Sequence, residues 1–277
     1  MSFRIYSISR IIATPLLLIA GYILYRSFQE RMDTSWLIFI PATLLVVLYV
    51  FHGPLDHWYL SKFPPVIDPI LEKWLWSFFK PYKSFPENIR KKFNDRLMLY
   101  LDGRLFYSVG QEKNELPEDI KCMIAAHGVH MSLGFDDYLI GDMDRIFLYK
   151  HPFPSPAIQT LHNVETNIED GVIVLSLEQL HAAVMFAEQF YNIAYHAYAS
   201  SILATNTGIN VTEIPNDWSL VEKISGWNKE QIVVQTGLTD TPANVAIIVL
   251  FFSMPEKFLS GAPGVYASLQ RIFRINY

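Results

Sequence analysis

The sequence predicts an α+β protein: two apolar helices at the N-terminus forming a transmembrane hairpin, then a mainly helical domain with a small β-sheet. Three observations carry that expectation. Two uncharged apolar runs fall within the first 55 residues. From Ser84 onward the composition becomes that of an ordinary globular domain. In that later part apolar residues recur mostly at helical spacing, and only RIFLYK and GVIVLS are short, β-branched and aromatic enough to read as strands. The organisation expected is a hairpin over 1–55, an amphipathic juxtamembrane linker over 56–83 and a globular domain over 84–277.

The first run, IIATPLLLIAGYILY, lies between Arg10 and Arg26. The second, between Asp33 and Asp56, includes WLIFIPATLLVVLYVFHG. A bilayer core takes about 20 apolar residues in a helix. The second run meets that alone; the first does so if IYSIS is added and Arg10 snorkels to the interface. Pro15, Gly21 and Pro41 are tolerated in membrane helices. A signal peptide is the rival reading of the first 25 residues, with Arg4 and Arg10 as its charged region. The absence of a small-x-small cleavage pattern and the second apolar run favour the hairpin, with Arg26, Glu30, Arg31 and Asp33 in its loop. Tyr22, Tyr25, Trp36, Tyr49 and Trp58 suit an interfacial aromatic belt. Two crossings put both termini on one side. Arg4, Arg10 and Lys62 there, against Arg26 and Arg31 in the loop, give a slight bias towards cytoplasmic termini. The expected location is therefore the inner or cytoplasmic membrane, with the globular domain in the cytoplasm.

Pro64 and Pro65 break any helix leaving the membrane, and IDPILEKWLWSFFK resumes helical spacing until Pro81. Its Trp74, Trp76, Phe78 and Phe79 fit either a membrane surface or the face of the following domain. FPENIRKKFNDRLMLYLDG reads as a helix capped by Ser84, with Glu87 completing a Ser-x-x-Glu box. LPEDIKCMIAAHGVHMSLGF is a second helix, opened by Pro117 and ending near Gly134. Between the two strands, HPFPSPAIQTLHNVETNIEDG reads as a loop. Ser176 caps the next helix, and a long apolar helix is expected around 187–204. TPANVAIIVLFFSMPEKFL gives a helix reaching Met254, and GVYASLQRIFRI a final amphipathic one.

Composition excludes several function classes. With 51% hydrophobic and 18% charged residues the chain is not a disordered one. A net charge of -5 gives no support to a phosphate-binding surface, so no nucleic-acid partner is expected. The single Cys122 excludes an internal disulfide and a Cys-rich zinc module, and its apolar setting reads as a small buried hydrophobe. There is no Gly-rich phosphate loop and no Gly-x-Ser-x-Gly elbow. Asp136, Asp137, Asp142 and Asp144 lack the alternation of a calcium loop and read as a solvated turn. The sequon at Asn210-Val211-Thr212 means little in a cytoplasmic domain. His127 and His130, at i and i+3, share a helix face and would need a third ligand such as His181 or His196 to hold a metal. The other reading is that they are ordinary hydrogen-bonded histidines.

The succession FPENIRKKFNDRL, IAAHGVHMSLGFDDY, DRIFLYKHPF, DGVIVLSLEQL and YNIAYHAYASSIL, followed by FFSMPEKF and YASLQRIF, resembles the zinc-dependent peptidases of the Mlc titration factor A type. The likeness runs from about Ser84 to the C-terminus and leaves the hairpin outside. It implies a zincin-like fold of the gluzincin kind. In that family H-E-x-x-H on one helix and a Glu on a later helix hold zinc and activate water. Here the motif reads His196-Ala197-Tyr198-Ala199-Ser200, and the downstream Glu falls on Val249. Only His196 retains a ligand. The resemblance therefore implies the fold but not the activity, with no catalytic residues and no zinc cofactor. The expected function is a membrane-anchored pseudopeptidase that binds an unidentified protein partner as a scaffold or regulatory module. Two alternatives stand beside it. One is an active zinc metallopeptidase with a rearranged site of His196 with His127, His130 or His181. The other is a structural accessory subunit of a membrane complex.

Overall fold

The computed structural model describes residues 7–30, 35–110, 116–205 and 211–275. The chain divides into two compact units, Met1–Pro65 and Val66–Tyr277. In the first, α1 (Ile8–Glu30) and α2 (Phe39–Lys62) pack together, with a 3-10 turn at Ser35–Ile38 leading into α2. Both are long and apolar enough to cross a membrane, with mean hydropathies of 1.7 and 2.0 over their spans. Their apolar side chains point outward: Leu18, Phe28 and Tyr49 are 70%, 86% and 78% exposed. An outward apolar surface of that extent is matched by a bilayer rather than by water. Polar contacts close the hairpin at one end. The Ser9 amide and the Ser7 and Ser9 hydroxyls donate to the Asp56 carboxylate at 2.9, 2.6 and 2.9 Å. Asp56 thus satisfies donors of the first turn of α1 that have no partner within the helix. α2 carries Pro54 inside it and continues past residue 55, ending just before Pro64. Arg4, Arg31 and Asp33, assigned above to the flanks and loop, lie outside the described residues.

The second unit is mixed helix and sheet. Its helices are α3 (Pro69–Phe78), α4 (Lys80–Ser84), α5 (Glu87–Asp102), α6 (Glu118–Ser132), α7 (Leu177–Met185), α8 (Ile193–Ala204), α9 (Trp218–Ser225), α10 (Lys229–Thr236), α11 (Ala243–Ser253), α12 (Pro255–Gly261) and α13 (Pro263–Ile272). The strands β1 (Leu105–Val109), β2 (Arg145–Tyr149), β3 (Val164–Asn167) and β4 (Val172–Ser176) form one sheet in the order β1-β2-β4-β3. β2 is parallel to β1 and β4, while β3 returns antiparallel along β4. Ile146 pairs with Ile173 and Leu148 with Leu175, and all four are buried.

Several sequence expectations are corrected. β1 and β3 are strands that were not anticipated, and β3 lies inside the segment read as a loop. Both are edge strands with mostly half-buried residues, so neither alternates strongly. The Ser84 box does not form: α5 starts at Glu87 after Pro86, and the Ser84 hydroxyl donates to the Pro81 carbonyl instead. The long helix expected over 187–204 begins only at Ile193, with Asn192 as its cap. Ser176 caps α7 as expected, accepting from the Gln179 amide. α11 stops at Ser253, and α12 leaves at 116°. Phe79 is buried in the core, whereas Trp76 and Phe78 remain 39% and 43% exposed.

α8 packs against α6, α11, β3 and β4. It is apolar on all sides, and so is α11, and helices of that kind must be enclosed. Gly128 makes the close approach of α6 and α8 possible. A Cβ there would sit 2.7 Å from Cζ of Tyr198, a ring that is itself fully buried and whose hydroxyl accepts from Tyr100 at 3.0 Å. Mid-helix glycine costs about 1 kcal/mol relative to alanine, so Gly128 belongs to the interhelical packing rather than to α6 itself. Gly128→Ala is therefore expected to destabilise this unit by about 1–3 kcal/mol despite the gain in helix propensity, read as a lowered urea midpoint; an unchanged or raised midpoint would refute the packing argument. For the first unit, alkaline carbonate should leave the full chain in the membrane pellet, and release into the supernatant would exclude membrane-spanning helices.

Candidate functional site

Two helices bring polar side chains into the interior of the second unit, and a third adds an aromatic ring. α6 contributes His127 and His130, the start of α8 contributes Asn192 and Tyr195, and α11 contributes Phe252. The hydrogen bonds assign their roles. The Tyr195 amide can only donate, so the Asn192 Oδ1 it meets at 3.0 Å is the acceptor. That turns Asn192 Nδ2 towards His127 Nε2, 3.0 Å away. Nε2 therefore accepts, and His127 Nδ1–H donates to the Met123 carbonyl at 2.7 Å. Both nitrogens of His127 are used. His130 shares a hydrogen bond of 2.7 Å between Nδ1 and the Tyr195 hydroxyl. Its ring is edge-on to Phe79 and to Phe252, with centroids 5.7 and 5.0 Å away. Among the described residues nothing bonds its Nε2, and that atom is not sealed from the cavity beside it.

Burial sets the charge state. Desolvation pushes His127 down to about 4. It pushes His130 down to about 3, with His127 as a lesser cause. His196 is also held down at about 4 by burial. All three imidazoles are neutral at physiological pH.

His196 and the residues aligned with the peptidase motif lie elsewhere on α8. His196 is 4% exposed, and its Nδ1 shares a 3.0 Å hydrogen bond with the Tyr191 hydroxyl. Ala197 is fully buried, Ser200 is half-buried, and Val249 on α11 is fully buried. His181 is exposed on α7. The rearranged metal set of His196 with His127, His130 or His181 is therefore not assembled: among the described residues no three His, Cys, Asp or Glu side chains come together. The physical reason is that His127 gives both nitrogens to partners within the protein and His181 faces solvent. The four aspartates after α6 are all exposed, as a solvated turn requires.

Beside His127 and His130 lies a cavity of about 560 Å³. Phe79, Phe85 and Phe252 give it aromatic walls, and the buried His130, Asn192 and Tyr195 are the polar part of its lining. Lys80, Lys83 and Glu256 stand where it opens, and Lys80 and Glu256 pair at 3.8 Å while remaining 78% and 87% exposed. Sequence reasoning missed Asn192, Tyr195, Phe79 and Phe252 as site residues. The one available signal was Asn192 as a cap, which the misplaced start of α8 concealed. No protein-family model matches the chain, and no curated protein matches it either.

The three depressed histidines predict an acid-sensitive fold. Their unfolded value of 6.5 lies above native values of about 4, 3 and 4 for His127, His130 and His196, so between these limits the unfolded chain binds more protons. This contribution to stability is complete above pH 6.5 and is lost as pH falls towards the native values, with a slope approaching about 1.4 kcal/mol per pH unit for each histidine. Urea midpoints measured from pH 7.5 to pH 5 should fall steeply below 6.5; a flat profile would mean these imidazoles are solvated.

Proposed function

We propose that the chain is a membrane-anchored pseudopeptidase: a protein-binding, scaffold or regulatory module built on a domain like that of the zinc-dependent peptidases of the Mlc titration factor A type. The correspondence of α8 with the motif helix is supported by its packing against α11, which carries Val249. Protein ligands to one zinc ion each sit about 2 Å from it, so the two helices that supply them have to be neighbours.

The observation that carries the reading is the donor set at the four family positions. His196 keeps an imidazole. Ala197 and Val249 offer no lone pair and are fully buried, and Ser200 offers only a neutral hydroxyl. Such a set does not fit a zincin metal, which needs three protein ligands and a general base beside an open coordination position. The apolar filling is what the interior of a stable domain requires once the charged ligands are gone. On this reading the domain faces the cytoplasm from the inner or cytoplasmic membrane, as the basic flanks of the hairpin favour, and its partner is a protein.

The test is metal content and hydrolysis on one sample. The full chain, purified in mild detergent and given one equivalent of zinc, should retain far less than one zinc per chain and should not cleave unfolded protein substrates. Zinc held near one per chain, and lost in His196→Ala, would overturn the reading. Ala197→Glu alone should not restore activity and should lower stability by about 3–5 kcal/mol, since it buries an unpaired carboxylate; an unchanged unfolding midpoint would show that this part of α8 is open rather than packed.

A further inference from the structure

We propose that the aromatic cavity beside α6 binds a single-chain lipid with an uncharged hydroxyl head, seated head-inward on Nε2 of His130 with its chain along the phenylalanine walls. This goes beyond the pseudopeptidase reading and does not depend on it.

The size and the lining argue for a small organic ligand. A cavity of about 560 Å³ lies within the range of about 300–1,000 Å³ that encloses one, and pockets of that kind are mostly apolar with a few placed polar groups. Here the polar groups are unequal. His127 is saturated by Met123 and Asn192. Asn192 spends its oxygen on the Tyr195 amide. His130 gives Nδ1 to Tyr195 and keeps Nε2, although the residue is only 6% exposed. A hydrogen-bonding atom left free in the buried lining of an apolar cavity calls for a partner carried by the ligand.

The charge distribution selects the head group. Every formal charge at the cavity sits at its exposed opening, where Lys80 already pairs with Glu256. The interior offers no cation to a carboxylate or phosphate, and burial keeps the His130 imidazole neutral. An ionised head would meet the full penalty of desolvation there. A hydroxyl both donates and accepts, so it satisfies Nε2 whichever tautomer His130 adopts. The rings of Phe79 and Phe85, packed on Phe93, and of Phe252, edge-on to His130, suit a hydrocarbon body. The same chain carries two helices apolar enough to cross a bilayer, the phase in which long-chain alcohols concentrate.

The experiment uses the full chain in phosphatidylcholine nanodiscs and, as probe, a 1-decanol carrying a diazirine near its methyl end. After photolysis, adducts should map by mass spectrometry to peptides holding Phe85, Ala187 or Phe252, and unlabelled 1-decanol should compete for them. His130→Phe keeps the ring but removes Nε2, and should weaken that competition about fivefold, the worth of one neutral hydrogen bond. Ala187→Trp fills the cavity from a half-buried position outside the core and should abolish the adducts; it keeps the test decisive if His130→Phe does not fold. Adducts confined to peptides outside the cavity would overturn the proposal. So would equal competition by decanoate at neutral pH, or labelling unchanged in Ala187→Trp. Zinc content is measured separately, so stoichiometric zinc would end the pseudopeptidase reading and leave this one standing.

Discussion

Asn192 holds three things in place at once. Its side-chain oxygen caps α8, its amide fixes the tautomer of His127, and its carbonyl accepts the His196 amide. It is 5% exposed, so each of these bonds replaces water that cannot reach it. Through His127 the same residue ties α8 to α6, and with α8 fixed, Tyr195 meets His130 and Tyr198 lies across Gly128. That junction fixes the tautomer of His127 and places Tyr195 beside His130 at the cavity.

The interior around it is unusually polar for a pair of helices without a polar face. Tyr100 and Tyr198 bond to each other, Tyr191 meets His196, and the Ser201 hydroxyl returns to the Ala197 carbonyl. Partners of this kind let buried tyrosines and histidines persist at little net cost, while an unmatched one would be expensive. This is also why Ala197 and Val249 are consistent with the packing: a charged residue at either position would need a counter-ion or a metal, and the neighbouring helices supply neither.

The membrane unit obeys a different rule. Its helices bury little against each other and expose leucine, phenylalanine and tyrosine outward, the reverse of the second unit. In hydrocarbon the backbone has to be satisfied within each helix. A concentrated set of polar contacts, Asp56 with Ser7 and Ser9, sits where the first turn of α1 has donors to spare. Pro15 and Pro54 within the helices remove backbone donors.

The sequence by itself determined the features that are set locally. Two long apolar runs meant two long apolar helices, Pro117 and Ser176 marked helix starts, and the β-branched β2 and β4 stood out because both lie inside the sheet and carry buried residues. What only the tertiary structure decided were the features that depend on partners distant in the chain. β1 and β3 are edge strands with weak alternation, and they become strands because β2 and β4 offer them free hydrogen-bonding groups. Ser84 looks like a cap in sequence but turns back to Pro81, since Pro86 sets the entry to α5. His127 and His130 were visible as a pair on one face, yet whether they held a metal or each other's neighbours turned on Asn192, 65 residues further on. A side chain's hydrogen-bond partner is fixed by helix packing, and helix packing is not written in the spacing of any one helix.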